Sequence, residues 1–267
     1  MPTPSFQLNA FTGRRFAGNP AAVTVLDAYP DDAVLQAVAT ENNLSETAFL
    51  VRQGGDYQLR WFTPSVEVPL CGHATLASAA VVMERLEPGR QLVTFHSASG
   101  PLTVRRETAI DDPAALSTLN FPVRRCTPVT MPPGLAEALG TQPIEVAHDG
   151  FNYVARLQSE QAVCDLLPDM GRIVGLPGVV GVIVTAEGSA PYDIVSRYFA
   201  PIKGIPEDPV TGGAHCALAH FWSERLGCNY LLAWQASARG GEMGVRLLGE
   251  RVELEGRCVF GVRDPPY

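Results

Sequence analysis

Along most of the chain the apolar residues come in short runs that Gly and Pro interrupt. Residues 6–10, 22–25, 47–51, 58–62, 101–104, 152–157, 181–185, 193–199, 244–247, 251–254 and 258–262 alternate or run apolar in this way and predict strands. Two segments break the pattern. Residues 72–86 and 212–226 are apolar nearly all round their first three turns, with Leu76, Ala77, Ala79, Ala80, Val81 and Val82 in one and Cys216, Ala217, Leu218, Ala219, Phe221 and Trp222 in the other. A helix without a polar face has to be enclosed and cannot lie on a surface. Three further stretches predict short surface helices: 32–41 with Asp31 as its cap, 135–139 and 160–166.

The two apolar helices are copies of one plan. Arg60-Trp61-Phe62-Thr63-Pro64 returns as Arg197-Tyr198-Phe199-Ala200-Pro201, 137 residues later. After an insertion of three residues the register continues at an offset of 140. Glu67, Pro69, Gly72, Ala74, Ala77, Ala79, Glu84, Arg85 and Leu86 recur as Glu207, Pro209, Gly212, Ala214, Ala217, Ala219, Glu224, Arg225 and Leu226. A shared Ala-rich composition does not produce the common Glu-x-Pro-x-x-Gly entry and Glu-Arg-Leu exit. The chain is therefore expected to be an α+β protein of two pseudo-symmetric halves, 1–118 and 119–267, with the terminal strand free to cross over. Each half is a curved, mostly antiparallel, barrel-like sheet around its own central helix.

Composition narrows the function classes. The 267 residues are 46% hydrophobic and 18% charged, which excludes disorder. A net charge of −8 without a basic stripe argues against nucleic acid and anionic membrane as partners. The longest uncharged stretches, 68–83 and 173–186, are too short to span a bilayer. Residues 1–22 carry Arg14 and Arg15 and no continuous apolar core, so no export signal is read there. With six cysteines and no Cys-x-x-Cys pair, the expectation is a reduced, cytoplasmic protein.

Candidate chemistry clusters at the helix entries. Gly72 and Gly212 open the two helices at equivalent repeat positions, followed by His73 and Gly213. Free amides at a helix start, together with the helix dipole, favour an anion. Both N-termini are expected to face one cleft between the halves and to hold a carboxylate or a developing oxyanion. Glu46 stands at the start of the apolar strand Thr47-Ala48-Phe49-Leu50. It is either an exposed strand-end residue or, if burial favours its protonated form, a general acid/base. Asp208, just ahead of the second helix, could cap that helix or tune His73 or His215. His215 and His220 are five apart and do not share a helix face, and no His-Glu-x-x-His or thiol pair is present, so no metal site is expected.

Five motifs then carry a resemblance: Phe16-Ala17-Gly18-Asn19-Pro20-Ala21-Ala22-Val23, Ser45-Glu46-Thr47-Ala48-Phe49, Trp61-Phe62-Thr63-Pro64, Glu67-Val68-Pro69-Leu70-Cys71-Gly72-His73-Ala74-Thr75 and Asp208-Pro209-Val210-Thr211-Gly212. In order and spacing they resemble the phenazine-biosynthesis PhzF-like family. The resemblance implies the diaminopimelate-epimerase-like fold and a cofactor-free isomerase, typically a homodimer, acting on a small cyclic or amino carboxylate similar to dihydro-3-hydroxyanthranilate. By motif, Glu46 would be the proton-transferring acid/base and His73 and Asp208 would contact polar groups of the substrate. The amides of Gly72, Gly212 and Gly213 would hold its carboxylate. The pattern departs from the phenazine enzymes at Gly213, where they resemble Thr-Gly-Ser.

Related racemases use two thiols, and here Cys71 occupies the first such place while Thr211 occupies the second. A hydroxyl is a far weaker acid than a thiol, so a one-base proton shift through Glu46, with Cys71 dispensable, is expected. The alternatives are a racemase or epimerase of the diaminopimelate or proline type and an interaction protein without turnover.

Overall fold

The computed structural model describes residues 4–107 and 116–261, so the predicted strand 258–262 has its last residue, Val262, outside the described residues. The chain divides into two compact units. The first runs to Phe121 and takes the chain up again from Glu255, and the second is Pro122–Leu254.

In the first unit the order is β1 (Ser5–Ala10), β2 (Asn19–Leu26), α1 (Asp32–Asn42), β3 (Glu46–Gln53), β4 (Asp56–Phe62), β5 (Glu67–Val68), α2 (Gly72–Val81), β6 (Leu92–Ser97), β7 (Gly100–Arg106) and β8 (Ser117–Pro122). The second contains β9 (Thr127–Pro128), α3 (Leu135–Leu139), β10 (Glu145–His148), β11 (Asn152–Arg156), α4 (Glu160–Cys164), α5 (Met170–Val174), β12 (Gly181–Glu187), β13 (Ile194–Ala200), β14 (Ile205–Asp208), α6 (Gly212–Leu226), β15 (Tyr230–Gln235), β16 (Gly241–Leu248) and β17 (Arg251–Gly256). Last comes β18 (Cys258–Phe260), which pairs antiparallel with β1.

The duplication seen in the residues is also a duplication of pairing. In the first unit β1–β2 is antiparallel, β2–β3 parallel, β3–β4 antiparallel, β4–β6 parallel and β6–β7 antiparallel, with β5 folded against the end of β4. The second repeats this sequence of senses over β10–β11, β11–β12, β12–β13, β13–β15 and β15–β16, with β14 against β13. Each parallel pair needs a crossover. The central helix supplies one in each unit, and α1, or α4 with α5, supplies the other.

Alternation along the strands gives each sheet two apolar faces. In the first unit Phe49 and Phe62 pack on Leu35 and Ala39 of α1. The cross-strand pairs Ala48–Trp61 and Leu50–Leu59, on the opposite face, are also buried. In the second unit Val182, Val184, Val195 and Phe199 pack with Leu139 of α3, Val163 of α4 and Ile173 of α5. On the other face Thr185 accepts the indole N–H of Trp222 from α6 at 2.9 Å. Enclosure of the central helices agrees with their composition. From His73 to Val81 every residue of α2 is buried, and the helix continues as a π-turn over Val82–Leu86.

Several local expectations need correction. Asp31 stands at the N-cap of α1, but its side chain makes no capping bond, and its backbone carbonyl receives the amides of Val34 and Leu35 instead. The helix predicted over 160–166 stops at Cys164, since the carbonyls of Val163, Cys164 and Leu166 turn to the guanidinium of Arg197. Helix α5 and strands β5, β6, β8, β9, β10, β14 and β15 lie outside the predicted elements.

Candidate active site

In the first unit the turn out of α1 brings Glu46 to the head of β3. Asn43 closes the helix in the left-handed region at φ 48°, and Asn42 donates from Nδ2 to the Thr47 hydroxyl at 3.1 Å. Gly18, with φ 68°, lets the preceding loop pass against the carbonyl of Ala10 at a place where a Cβ would collide, before β2 runs parallel to β3 with Ala21 opposite Glu46. The strand β5 then delivers the chain to Cys71, the extended N-cap residue of α2.

Cys71, His73 and Glu46 meet at the start of α2. Sγ of Cys71 lies 3.5 Å from Nδ1 of His73. Nε2 of the same ring lies 3.1 Å from Oε2 of Glu46, and the two side chains are 5% and 14% exposed. This is an ion-pair distance, but the atoms are not aligned as a hydrogen bond, and both are buried without another protein partner. Two unspent polar atoms in one buried spot are costly, unless a ligand uses them. Burial and then the nearby Glu46 carboxylate push the Cys71 thiol up, so the sulfur is protonated near neutrality. Burial works against charging His73, but negative charge beside it, on the Cys71 sulfur when that is ionised and on Glu46, outweighs burial and holds the imidazole well above the ordinary histidine value.

The first turn of α2 carries no side-chain cap. Thr75 instead turns its hydroxyl back to the Cys71 carbonyl at 2.5 Å. The Ala74 amide faces the Cys71 sulfur, and the Gly72 amide, at the positive end of the helix, is without a side-chain cap. Among the described residues Glu46, Cys71 and His73 also place one metal-ligating atom each within 4.8 Å of one another. The thiol and the carboxylate, however, stand at opposite ring nitrogens, and an ion bound in the ring plane takes only one nitrogen. The disposition suits passage of a proton better than chelation.

The second unit holds Asp208, Thr211, Gly212 and Gly213 together at the entry to α6. Asp208 binds the N-cap residue of that helix. It accepts the Thr211 hydroxyl at 2.5 Å, and Thr211 itself makes no side-chain cap. Gln235 braces the pair, accepting the Thr211 amide at 2.8 Å and donating to the Asp208 carbonyl at 2.7 Å. His215 is fully buried, with Nδ1 2.8 Å from the Thr211 carbonyl and Nε2 3.5 Å from the Ser196 hydroxyl. Burial lowers its pKa to about 4 and keeps it neutral, and no contact joins it to Asp208.

Sequence reasoning missed one residue at this helix entry. A Cβ on Gly213 would lie 3.5 Å from Nη2 of Arg124 and 3.6 Å from its Cζ, so the guanidinium stands where a serine side chain would reach. Arg124 lies over the Phe151 ring and 3.7 Å from the buried carboxylate of Asp149, too far for a hydrogen bond. Asp149 spends its oxygens instead on the amides of Phe151 and Asn152 and on the Asn152 side chain. The planar fork of Arg124, ion-paired to Asp149 at 3.7 Å, thus stands beside the entry to α6. No sequence signal ties residue 124 to residue 213, since the two are brought together only by the fold.

Comparison with known proteins agrees with this architecture. Residues 8–263 match the family model described as phenazine biosynthesis-like protein. The chain is 49% identical to an uncharacterized isomerase of Pseudomonas aeruginosa, over 96% of this chain and 95% of that protein. It is 40% identical to a PhzF-family phenazine biosynthesis protein of Enterococcus faecalis, whose crystal structure superposes with a TM-score of 0.91 over 97% of each chain. A hydroxyproline epimerase of Agrobacterium vitis shares the fold alone, with a TM-score of 0.65 at 13% identity over 97% of this chain and 90% of the other. The chain belongs to the phenazine biosynthesis-like family, whose members matched here include proteins named as isomerases.

Proposed function

We propose that the protein is a cofactor-independent isomerase in which Glu46 takes a proton from one carbon of a small cyclic or amino carboxylate and returns it to another on the same face. The observation that carries this reading is the buried pair of unspent atoms, Oε2 of Glu46 and Nε2 of His73, 3.1 Å apart beside a helix start without a side-chain cap. A carboxylate so placed can remove a proton, and an imidazole at that distance can stabilise it before and after. In the same reading His73 and Asp208 contact the substrate's polar groups, and the amides of Gly72, Gly212 and Gly213 hold its carboxylate. Arg124 adds a fork of charged donors at Gly213, where the phenazine enzymes carry a serine hydroxyl. This favours a substrate with a strongly anionic group over one needing a neutral hydrogen bond.

The racemase reading is less well supported. Thr211, at the place of the second thiol, commits its hydroxyl to Asp208 and its amide to Gln235. The thiol of Cys71 remains, beside an imidazole.

The test is incubation of a panel of small cyclic and amino carboxylates in D₂O, with mass spectrometry to find the one that isomerises. Glu46→Gln keeps the shape but cannot cycle a proton, and it should lose about 10²–10⁴ in turnover, the usual worth of a positioned acid/base. Full deuterium exchange in Glu46→Gln together with lost exchange in Cys71→Ala would overturn the one-base reading in favour of the thiol.

A further inference from the structure

Cys71 is not used by the one-base reading, yet it touches the site. The His73 ring is held between two acids, with Sγ of Cys71 at 3.5 Å from Nδ1 and Oε2 of Glu46 at 3.1 Å from Nε2. Among the described residues of the elements packed most closely on α2, no other titratable group is free to face the three. Of the elements packed on α2, β1 and β2 carry no titratable side chain. Strand β3 adds only Arg52, which pairs with Glu87. Strand β7 brings Arg105 and Arg106, bound to Glu107 and Glu84. Strand β18 brings Cys258, which lies beside Glu84 and Arg106 at the other end of the helix. The π-turn adds Glu84 and Arg85, the latter over the Phe260 ring. Thiol, imidazole and carboxylate therefore set one another's charge.

Enclosure restricts how they do so. A buried cluster avoids net charge, because an unpaired buried ion costs several kcal/mol. Counting one proton each for the thiol, the second ring nitrogen and the carboxyl, neutrality requires two protons over three sites. With the sulfur protonated, these are thiol–imidazolium–carboxylate and thiol–imidazole–carboxylic acid. They differ by one transfer: the Nε2–H bond breaks, an Oε2–H bond forms, and the electron pair stays on Nε2. That exchange works only if the neutral ring keeps its proton on Nδ1, and the atom there to accept the Nδ1–H hydrogen bond is Sγ.

The geometry points to Cys71 as a positioning residue of the proton-transfer site: its sulfur accepts a hydrogen bond from Nδ1–H of His73, fixing the ring and its tautomer so that Nε2 alone exchanges a proton with Glu46. The inference rests on the proposed role of Glu46, but its test needs no turnover. The elevated titration of both Cys71 and His73 accords with a shared charge state.

The experiment is a long-range ¹H–¹⁵N correlation of histidine-labelled protein, with His73 assigned by the signal lost in His73→Gln, recorded from acid to alkaline pH. In the wild type the neutral ring should show Nδ1 protonated and Nε2 bare. Cys71→Ser keeps an acceptor and should keep that pattern. Cys71→Ala removes the acceptor and should give mixed tautomers with a shifted ring titration, while far-ultraviolet circular dichroism stays unchanged. A His73 pattern in Cys71→Ala that superposes on the wild type overturns the inference.

Should Cys71→Ala not fold, the ¹³Cβ shift of Cys71 in the wild type decides the matter. It should titrate together with the His73 ring, and independent titration overturns the inference equally. Failure of the function would look different, since Glu46→Gln would retain deuterium exchange while the tautomer still depended on Cys71.

Discussion

Arg124 shows how one missing side chain changes what a helix entry can bind. With Gly at 213 the guanidinium reaches to within 3.5 Å of where a Cβ would be. It offers a charge-assisted fork, and such hydrogen bonds are worth about 1.5–3 kcal/mol each. Arg124→Gln should therefore raise KM for an anionic substrate roughly tenfold or more, with a smaller change in kcat, as steady-state kinetics on the substrate found by the panel would show. An equal fall in kcat with KM unchanged would place Arg124 in the chemical step instead. Neither this contact nor that of Cys71 with His73 was legible in the sequence. The first joins residues 89 apart (213 − 124) through the fold. The second depends on the extended backbone of Cys71, φ −143° and ψ 120°, which turns the thiol across the helix entry towards a residue two positions on. The residues themselves were legible: Glu46, His73, Asp208 and the paired glycines all stood out by motif or by repeat.

Among the elements, the two central helices were the most readable, because a segment apolar on every side has only one physical destination. Strands were less so. In β10 the run Glu145–His148 is too short for alternation to declare itself, and β6 and β15 mix apolar and polar positions without a clean period. What attaches α6 to its sheet is more specific than apolar burial. The indole of Trp222 donates to Thr185 Oγ1 at 2.9 Å, and that hydroxyl donates to the Val195 carbonyl at 2.8 Å. Thr185→Val preserves shape and removes both bonds, leaving a buried N–H and a buried carbonyl lone pair. It should cost about 1–3 kcal/mol for each group left unsatisfied, measured as a lower urea midpoint at unchanged slope. A loss under 0.5 kcal/mol, the scale of an ordinary surface change, would mean that the chain Trp222–Thr185–Val195 contributes little.

For the molecule as a whole, His215 predicts an acid limit. Its ring is fully buried and its pKa falls from 6.5 to about 4. Well above pH 6.5 neither folded nor unfolded chain protonates it and it has no effect on the balance. Below that the unfolded chain binds a proton that the folded one refuses, so stability declines as pH falls towards 4, by roughly 3 kcal/mol in all. His215→Gln should flatten that part of the pH–stability curve, and an unchanged slope would remove His215 as its cause.

The strand β18 has a separate consequence, for the time at which each half can be completed. It pairs with β1, so Leu8 meets Phe260 and Ala10 meets Cys258. Sheet pairing so distant in sequence is entropically slow to form. On a ribosome the first unit is made first and must wait with β1 lacking this neighbour, while the second, continuous from Pro122 to Leu254, has all its residues in place earlier. The order of synthesis and the order of completion are thus reversed, and the unit that carries Glu46 and His73 is the last to close.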